Sequence, residues 1–436
     1  MVDRYDICFI GGGLNYAGAV VAAKAGLKTA LIERDLSHLG GTCLHNGCIP
    51  SKLFLHAAAA TLQSRKPLYD GIAALDMKRL LEEKERVVGE AAEAIRRQCS
   101  RVDLLEGEAK VTEPHRVELG GRSIAADSIV IGTGSRPFIP EGIEYDGKSV
   151  VTSDEILNLS ELPKKAAIYG DGAIGLEMAS FMAAAGVETE LMWRHDTLLR
   201  RAHPSIGKAM AAQLESIGVK LLPNSSIKRA AATQKRGVHI TFEDGSERFV
   251  PLLLVATGRR AVTDAVGLEA IKIGKKGIET DSFFETTLPS HYAIGDCNGK
   301  LQLAHAARAQ VLNVVATITG KSPSPLDLGR VVKFIHTLPM SYATVGSFGA
   351  DDNAVAMPMR GWPYAQILDA DEGVVILYED SEGFVTGAEI LAPGAEELIA
   401  TVSMALAGEM DAKLCRETIL AHPTLSEILE RAFYRL

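Results

Sequence analysis

The sequence predicts an α/β protein built on two βαβ units of one plan, joined to a C-terminal α+β domain. Three observations lead there. A glycine turn closes an apolar strand at Gly11-Gly12-Gly13, and a second does so at Gly170-Asp-Gly-Ala-Ile-Gly175. After Val331 the chain changes to short apolar β segments without a glycine fingerprint. At 436 residues it exceeds what one core supports, and a length prior gives about three domains.

In the first unit Tyr5 to Ile10 is an apolar strand, Ala17 to Ala25 a small-residue helix ending at Gly26, and Leu27 to Ile32 a second strand closed by Glu33. An acid about 20 positions after the glycines completes a dinucleotide fingerprint. Gly11 and Gly13 let the backbone approach a pyrophosphate at the helix N-terminus, and Glu33 can accept from ribose hydroxyls. A glycine cluster alone is weak, but strand, helix, strand and acid all fall in place.

The second unit repeats the plan: strand Ala166 to Tyr169, turn with Gly170, Gly172 and Gly175, helix Leu176 to Ala185, strand Val187 to Trp193. Trp193 stands where the acid is expected, and Arg194, His195, Arg200 and Arg201 follow. A carboxylate repels a 2′-phosphate and arginines bind it bidentately, so this site favours NADP(H) over NAD(H). A solvated basic loop is the plainer alternative.

Two related strand-turn elements, Ile129-Val-Ile-Gly-Thr-Gly-Ser135 and Leu253-Leu-Val-Ala-Thr-Gly258, supply Thr133, Gly134 and Gly258 as turns where the chain crosses between nucleotide domains. Ser64 to Gln98 reads as a pair of long helices broken at Pro67 and Gly71, Tyr292 to Asp296 as a strand end, and Leu303 to Ile318 as helix. Lys321-Ser-Pro-Ser-Pro325 is the clearest linker. Strands are expected at 331–335, 342–346, 364–368, 373–378 and 384–390, and helices at 396–408 and 424–434. The expected domains are 1–147, 148–265, a returning segment 266–325, and an interface domain 326–436.

Cys43 and Cys48 sit in Gly40-Gly-Thr-Cys-Leu-His-Asn-Gly-Cys-Ile-Pro-Ser-Lys52, just ahead of an Ala-rich helical run. In a regular helix their Cα atoms lie roughly 8 Å apart, and a disulfide needs them within about 7 Å. Joining them requires a distorted first turn, with Gly47 giving way and Pro50 fixing the helix start. A strained bridge is easily reduced, which suits a catalytic disulfide. The alternatives are two unrelated thiols or a metal site; no second Cys pair completes a metal site, so no metal is expected.

The other cysteines, Cys8, Cys99, Cys297 and Cys415, form no framework. That suits a reducing compartment, and a cytoplasmic protein is expected. The net charge of −9 argues against a nucleic-acid partner. No stretch reads as a membrane span or signal peptide.

Together, Gly11-Gly-Gly13, Gly40 to Lys52, Gly170 to Glu177, the Thr-Gly turns, Ala293-Ile-Gly-Asp296 and His422-Pro-Thr-Leu-Ser-Glu427 resemble the class I pyridine nucleotide-disulfide oxidoreductases over nearly the full length. The Cys48-Ile-Pro-Ser-Lys52 and His422 to Glu427 stretches look like dihydrolipoyl dehydrogenase, whereas Trp193 to Arg200 looks like the NADPH loop of glutathione reductase. The resemblance implies FAD and NAD(P) domains of Rossmann type, a C-terminal dimerisation domain, and electron flow between NADPH, FAD, a Cys43–Cys48 disulfide and an external disulfide or dithiol. Cys48 would face the flavin as the charge-transfer thiolate and Cys43 would attack substrate. Lys52 would approach the flavin and pair with Glu177. Asp296 would meet the flavin's ribityl chain, with Gly295, Thr133 and Gly134 lining the FAD and Gly41 and Thr42 in the matching block beside it. His305 matches a position near the flavin, although a helix-surface histidine is the simpler reading.

A thiolate attacks, so a base near neutral pH must move thiol protons. His422, oriented by Glu427, fits that role. Thr424 and Glu427 also look like a capping box. In relatives this histidine reaches the partner subunit's disulfide, which implies a homodimer with a shared active site. The chain departs from the family pattern in three places. The first glycine loop is one residue short, putting Asn15 at the third glycine's place, where its tolerance of unusual dihedrals would serve. Ala173 replaces an aromatic gate. Val20 replaces a glutathione-binding arginine, which disfavours glutathione. Lipoyl or another small or protein-bound disulfide is the expected substrate; a flavin transhydrogenase or NADPH oxidase is the alternative.

Overall fold

The computed structural model describes residues 3–233, 237–349 and 351–436. Met1 and Val2, part of the N-terminal stretch read for a signal peptide, lie outside them. The described chain forms two compact units. Each contains a parallel sheet, and the two sheets share one strand order.

In the first unit, 1–50, 82–138 and 259–328, the parallel order is Asp103–Glu106, Thr29–Glu33, Asp3–Ile10, Arg122–Ile131. His291–Ala293 adds in parallel to Arg122–Ile131. A meander of Ala109–Glu113 and Arg116–Leu119 continues the sheet antiparallel. Ile7, Phe9, Leu31, Ile129, Val130 and Ile131 have no exposed surface, as near-continuous apolar runs require in a sheet covered on both faces.

In the second unit the order is Val219–Leu222, Glu188–Met192, Lys165–Tyr169, Leu252–Val255, with Val150–Val151 at the edge. The duplication extends to single hydrogen bonds. Gly11 N donates to Ile32 O and Gly170 N to Met192 O at 2.8 and 2.9 Å, while Gly132 N donates to Ile10 O and Ala256 N to Tyr169 O, both at 2.8 Å. This unit also carries a three-stranded sheet of Ile227–Thr233, Gly237–Phe242 and Glu247–Val250.

The C-terminal part of the second unit is an antiparallel sheet ordered Lys333–Ile335, Ser341–Gly346, Val385–Ala392, Val374–Glu379, Asn353–Pro358. The helix Ala395–Ala407 packs on the strands Ser341–Gly346 and Val385–Ala392. The expected strand at 364–368 is instead the helix Pro363–Ile367, started by Pro363 at its first position. The fifth strand is Asn353–Pro358, on the edge, where a proline costs no ladder bond.

The expected helix pair in 64–98 is also corrected. One long helix, Met77–Gln98, lies there, and the other begins at Cys48 and ends at Ser64, ahead of Pro67. Pro67, Asp70 and Gly71 fall in the stretch between the two helices. Among the described residues, no helix is long and apolar enough to cross a membrane.

Candidate active site

The cysteine segment is two helices and a break. Gly41–His45 is one turn of helix, Asn46 and Gly47 lie outside, and Cys48–Ser64 begins at the second cysteine. A Cβ on Gly47 would stand 2.7 Å from Thr42 O and 3.1 Å from Cys43 Cα, so only glycine lets the chain fold back onto the turn carrying Cys43. Cys43 is half-buried and Cys48 exposed. The break falls where a regular helix would hold the two thiols apart.

Lys52 lies one turn along from Cys48. Its Nζ stands 2.6 Å from Glu177 Oε1, and the Glu177 side chain is only 8% exposed. Glu177 belongs to the helix Ala173–Ala184, and the Cys48–Ser64 helix meets that helix again through Phe54 and Phe181, whose rings are 5.4 Å apart. Arg65 then donates to Ala183 O and Ala184 O at 3.1 and 2.6 Å, satisfying carbonyls at the helix end.

The first glycine turn is a tight cradle. Gly11 has φ +94°, and a Cβ there would meet Gly132 O at 2.4 Å. Gly12 N donates to Glu33 Oε2 at 2.5 Å, which fixes the acid beside the turn. Gly41 approaches so closely that a Cβ would lie 2.8 Å from Gly13 Cα, and Thr42 follows it, exposed. Bare backbone facing a helix N-terminus is what a pyrophosphate requires, and the residues present fit FAD.

Asn15 acts differently from expectation. It is the first residue of the helix Asn15–Lys24 and is absent from the positive-φ residues, so backbone freedom is not its contribution. Its side chain is fully buried, donates to Ile10 O at 3.0 Å and fills the space left by Gly132. The shortened loop is closed by a side chain.

Asp296 lies in the short 3-10 turn Gly295–Asn298. It accepts from Ser135 Oγ at 2.5 Å, and Ser135 in turn receives Arg259 Nε at 2.8 Å on its hydroxyl and Arg259 Nη2 at 2.8 Å on its carbonyl. Burial raises the Asp296 pKa, while Ser135 and Arg259 oppose that rise. Thr133 Oγ1 donates to Val262 O at 2.5 Å, Gly134 has φ +72°, and Gly295 N donates to Gln310 Oε1 at 2.8 Å. Sequence reasoning missed Ser135 and Arg259. The signal was available: each directly follows one of the duplicated Thr-Gly turns, and their strands Ser135–Pro137 and Arg259–Ala261 pair. His305 is exposed, near the start of the helix Ala304–Ile318.

At the second glycine turn Gly170 has φ +126°, with Ala256 O 2.3 Å from a would-be Cβ, and at Gly175 the clash with Gly170 O would be 1.8 Å. Gly172 caps the helix with extended backbone, and Ala173 follows it. Gly258 has φ +116°. Trp193 is 4% exposed, so no carboxylate points outward from the end of the strand Glu188–Met192. Arg194, Arg200 and Arg201 are exposed and His195 half-buried. Among the described residues these three arginines have no ion pair.

His422 Nδ1 lies 2.9 Å from Glu427 Oε1. Glu427 Oε2 also accepts from Thr424 N at 3.0 Å. The bond from His422, followed by that from Thr424, lowers the Glu427 pKa. The expected capping box is half formed: Thr424 Oγ1 turns back to Ala421 O at 2.7 Å, and the helix starts later, at Glu427, with Ser426 as its cap residue and no side-chain bond. No group of three or more metal-ligating side chains occurs among the described residues.

The paired glycine turns, the cysteine segment and the His-Glu pair define a flavin- and pyridine-nucleotide-dependent disulfide oxidoreductase. The chain belongs to the pyridine nucleotide-disulphide oxidoreductase family, whose main pattern matches residues 5–310 and whose dimerisation domain matches 345–433. It is 32% identical to the dihydrolipoyl dehydrogenase of Chlamydia muridarum over 98% of this chain and 96% of that one. It is 31% identical to that of Bacillus subtilis, over 99% and 98%. Among solved structures it resembles the HOCl-induced flavoprotein disulfide reductase RclA from Escherichia coli, with TM-score 0.88, 27% identity and 99% of each chain covered. LpdA from Mycobacterium tuberculosis shares the fold, with TM-score 0.91 at 24% identity over 100% of this chain and 99% of that one.

Proposed function

We propose that the enzyme exchanges electrons between NADPH and a lipoyl-type or other small or protein-bound disulfide, with Cys43 and Cys48 as the redox pair. The observation that carries this reading is the break at Asn46 and Gly47, which brings the exposed Cys48 back toward the turn of Cys43. Gly11, Gly13, Glu33, Gly41, Thr42, Thr133, Gly134 and Asp296 would hold FAD, with Asn15 bracing the turn. FAD, when bound, supplies the two-electron chemistry that links nucleotide and dithiol. Cys43 is the attacking thiolate, Cys48 the flavin-side thiol, and Lys52 with Glu177 places a positive charge near the flavin. His422 takes and returns the thiol proton, and Glu427 orients its ring.

Gly170, Gly172, Gly175 and Gly258 would form the nucleotide turn, and Arg194, His195 and Arg200 would bind the 2′-phosphate. The active site would be shared across a homodimer through the C-terminal domain, with the boundaries set out above. The scattered cysteines support a cytoplasmic location. A steady-state comparison tests the reading: NADPH should exceed NADH in kcat/KM, with lipoamide turned over and glutathione not. NADH outperforming NADPH would remove the cofactor assignment. Full activity in Cys43→Ser would favour a transhydrogenase or oxidase instead. The named activity of RclA makes other disulfides part of the same panel.

A further inference from the structure

The Lys52–Glu177 pair has a third member that the sequence did not point to. Glu177 Oε1 accepts not only from Lys52 Nζ at 2.6 Å but also from the backbone N–H of His336 at 3.0 Å. The His336 side chain is itself tied down, its Nδ1 lying 3.0 Å from Glu396 Oε1, with 26% and 20% of the two side chains exposed. Glu396 sits in the first turn of the helix Ala395–Ala407, where the positive helix end favours a carboxylate. Burial opposes its charge, but bonds from His336 and from its own backbone hold its pKa below the ordinary value. Two residues on, Leu338 N donates to Ser180 Oγ at 2.7 Å. Ser180 is three positions after Glu177, on the same helix face. The segment linking the strands Lys333–Ile335 and Ser341–Gly346 is therefore bolted to the face that carries Glu177.

We propose that His336, anchored by Glu396, is a positioning residue for the Lys52–Glu177 pair. The peptide at His336 fixes the shared oxygen Oε1, and the side-chain bond to Glu396 fixes that peptide. A shift in either moves the carboxylate that holds the Lys52 ammonium. The proposal rests on the reading that Lys52 acts at the flavin.

A double-mutant cycle on FAD-loaded protein tests it, with the rate of flavin reduction by NADPH in stopped flow as the readout. His336→Ala keeps the backbone donor and removes only the anchor. It should slow flavin reduction about tenfold, as small misplacements at a reacting centre do. In a Lys52→Met background it should have little further effect, because the group it positions is gone. Glu396→Leu should repeat this pattern and Glu396→Gln, which still accepts from Nδ1, should stay near the parent rate. Either variant remains usable if the other loses its flavin. Equal slowing in both backgrounds, or none in the parent, overturns the proposal. A parent-like rate in Lys52→Met alone removes instead the reading on which it rests, and that outcome shows without touching His336 or Glu396.

Discussion

His422 presents its ring to solvent, 81% exposed, while the Glu427 that grips its Nδ1 at 2.9 Å is only 19% exposed. A base that must meet a substrate or a partner subunit needs this asymmetry, with the orienting acid inside and the far nitrogen outside. His422→Ala should lower disulfide turnover roughly 10²-fold or more. Flavin reduction by NADPH should stay near normal, and equal damage to both half-reactions would contradict the assignment.

Glu427 carries a pH signature. Its folded pKa lies below the ordinary 4.5, first through the bond from His422 and then through that from Thr424 N. A depressed carboxyl adds stability that is present above the unfolded value and is lost as pH falls through the folded one. Glu427→Gln should therefore be less stable than the parent at pH 7, and the gap should narrow as pH falls below the ordinary 4.5 and on through the folded value. Denaturant unfolding at a series of pH values measures it, and a gap that persists unchanged into acid would exclude this coupling.

Asp296 has the opposite sign. Burial raises its pKa above 3.8 despite Ser135 and Arg259. A raised carboxyl favours the folded state fully only below its unfolded value, and that contribution is lost as pH rises through the folded one. Asp296→Asn should thus raise the melting temperature of the apoprotein at pH 8 and leave it little changed near pH 3. If Asp296 holds the flavin, the same variant should release FAD more readily, seen as flavin fluorescence recovered in the filtrate. Ser135→Ala should weaken FAD retention in the same direction, since it removes the donor to Asp296 and one of the two Ser135 acceptors of Arg259.

Much of this architecture was legible because a parallel sheet writes itself as apolar runs closed by glycine turns. Gly11 and Gly170 could be paired by eye, and their backbone bonds match in detail. What escaped depends on contacts between distant segments. Tyr364 to Leu368 is too short for periodicity to separate strand from helix, and Pro363 decided it. The role of Asn15 lies in a space opened by Gly132, over a hundred residues away. Ser135 bonds Asp296, Arg259 bonds Ser135, and the backbone of His336 bonds Glu177, contacts between segments far apart in the chain.

Gly47 offers the sharpest local test of the cysteine segment. Its φ is not positive, so alanine meets no backbone strain there, only the two contacts at 2.7 and 3.1 Å. Both atoms are backbone or Cα and cannot swing aside, so Gly47→Ala must push the start of the Cys48–Ser64 helix away from Cys43. Overpacking of this kind costs about 1–3 kcal/mol. Because the displacement falls between the two thiols, it should reach chemistry before it reaches the fold. The variant should retain FAD and reduce it with NADPH at near the parent rate, while disulfide turnover drops about tenfold as the geometry of the pair is lost. Thiol counting after oxidation should find Cys43 and Cys48 more slowly joined. Parent-like turnover in Gly47→Ala would mean that the fold-back at Asn46 and Gly47 is not what brings the two sulfurs together.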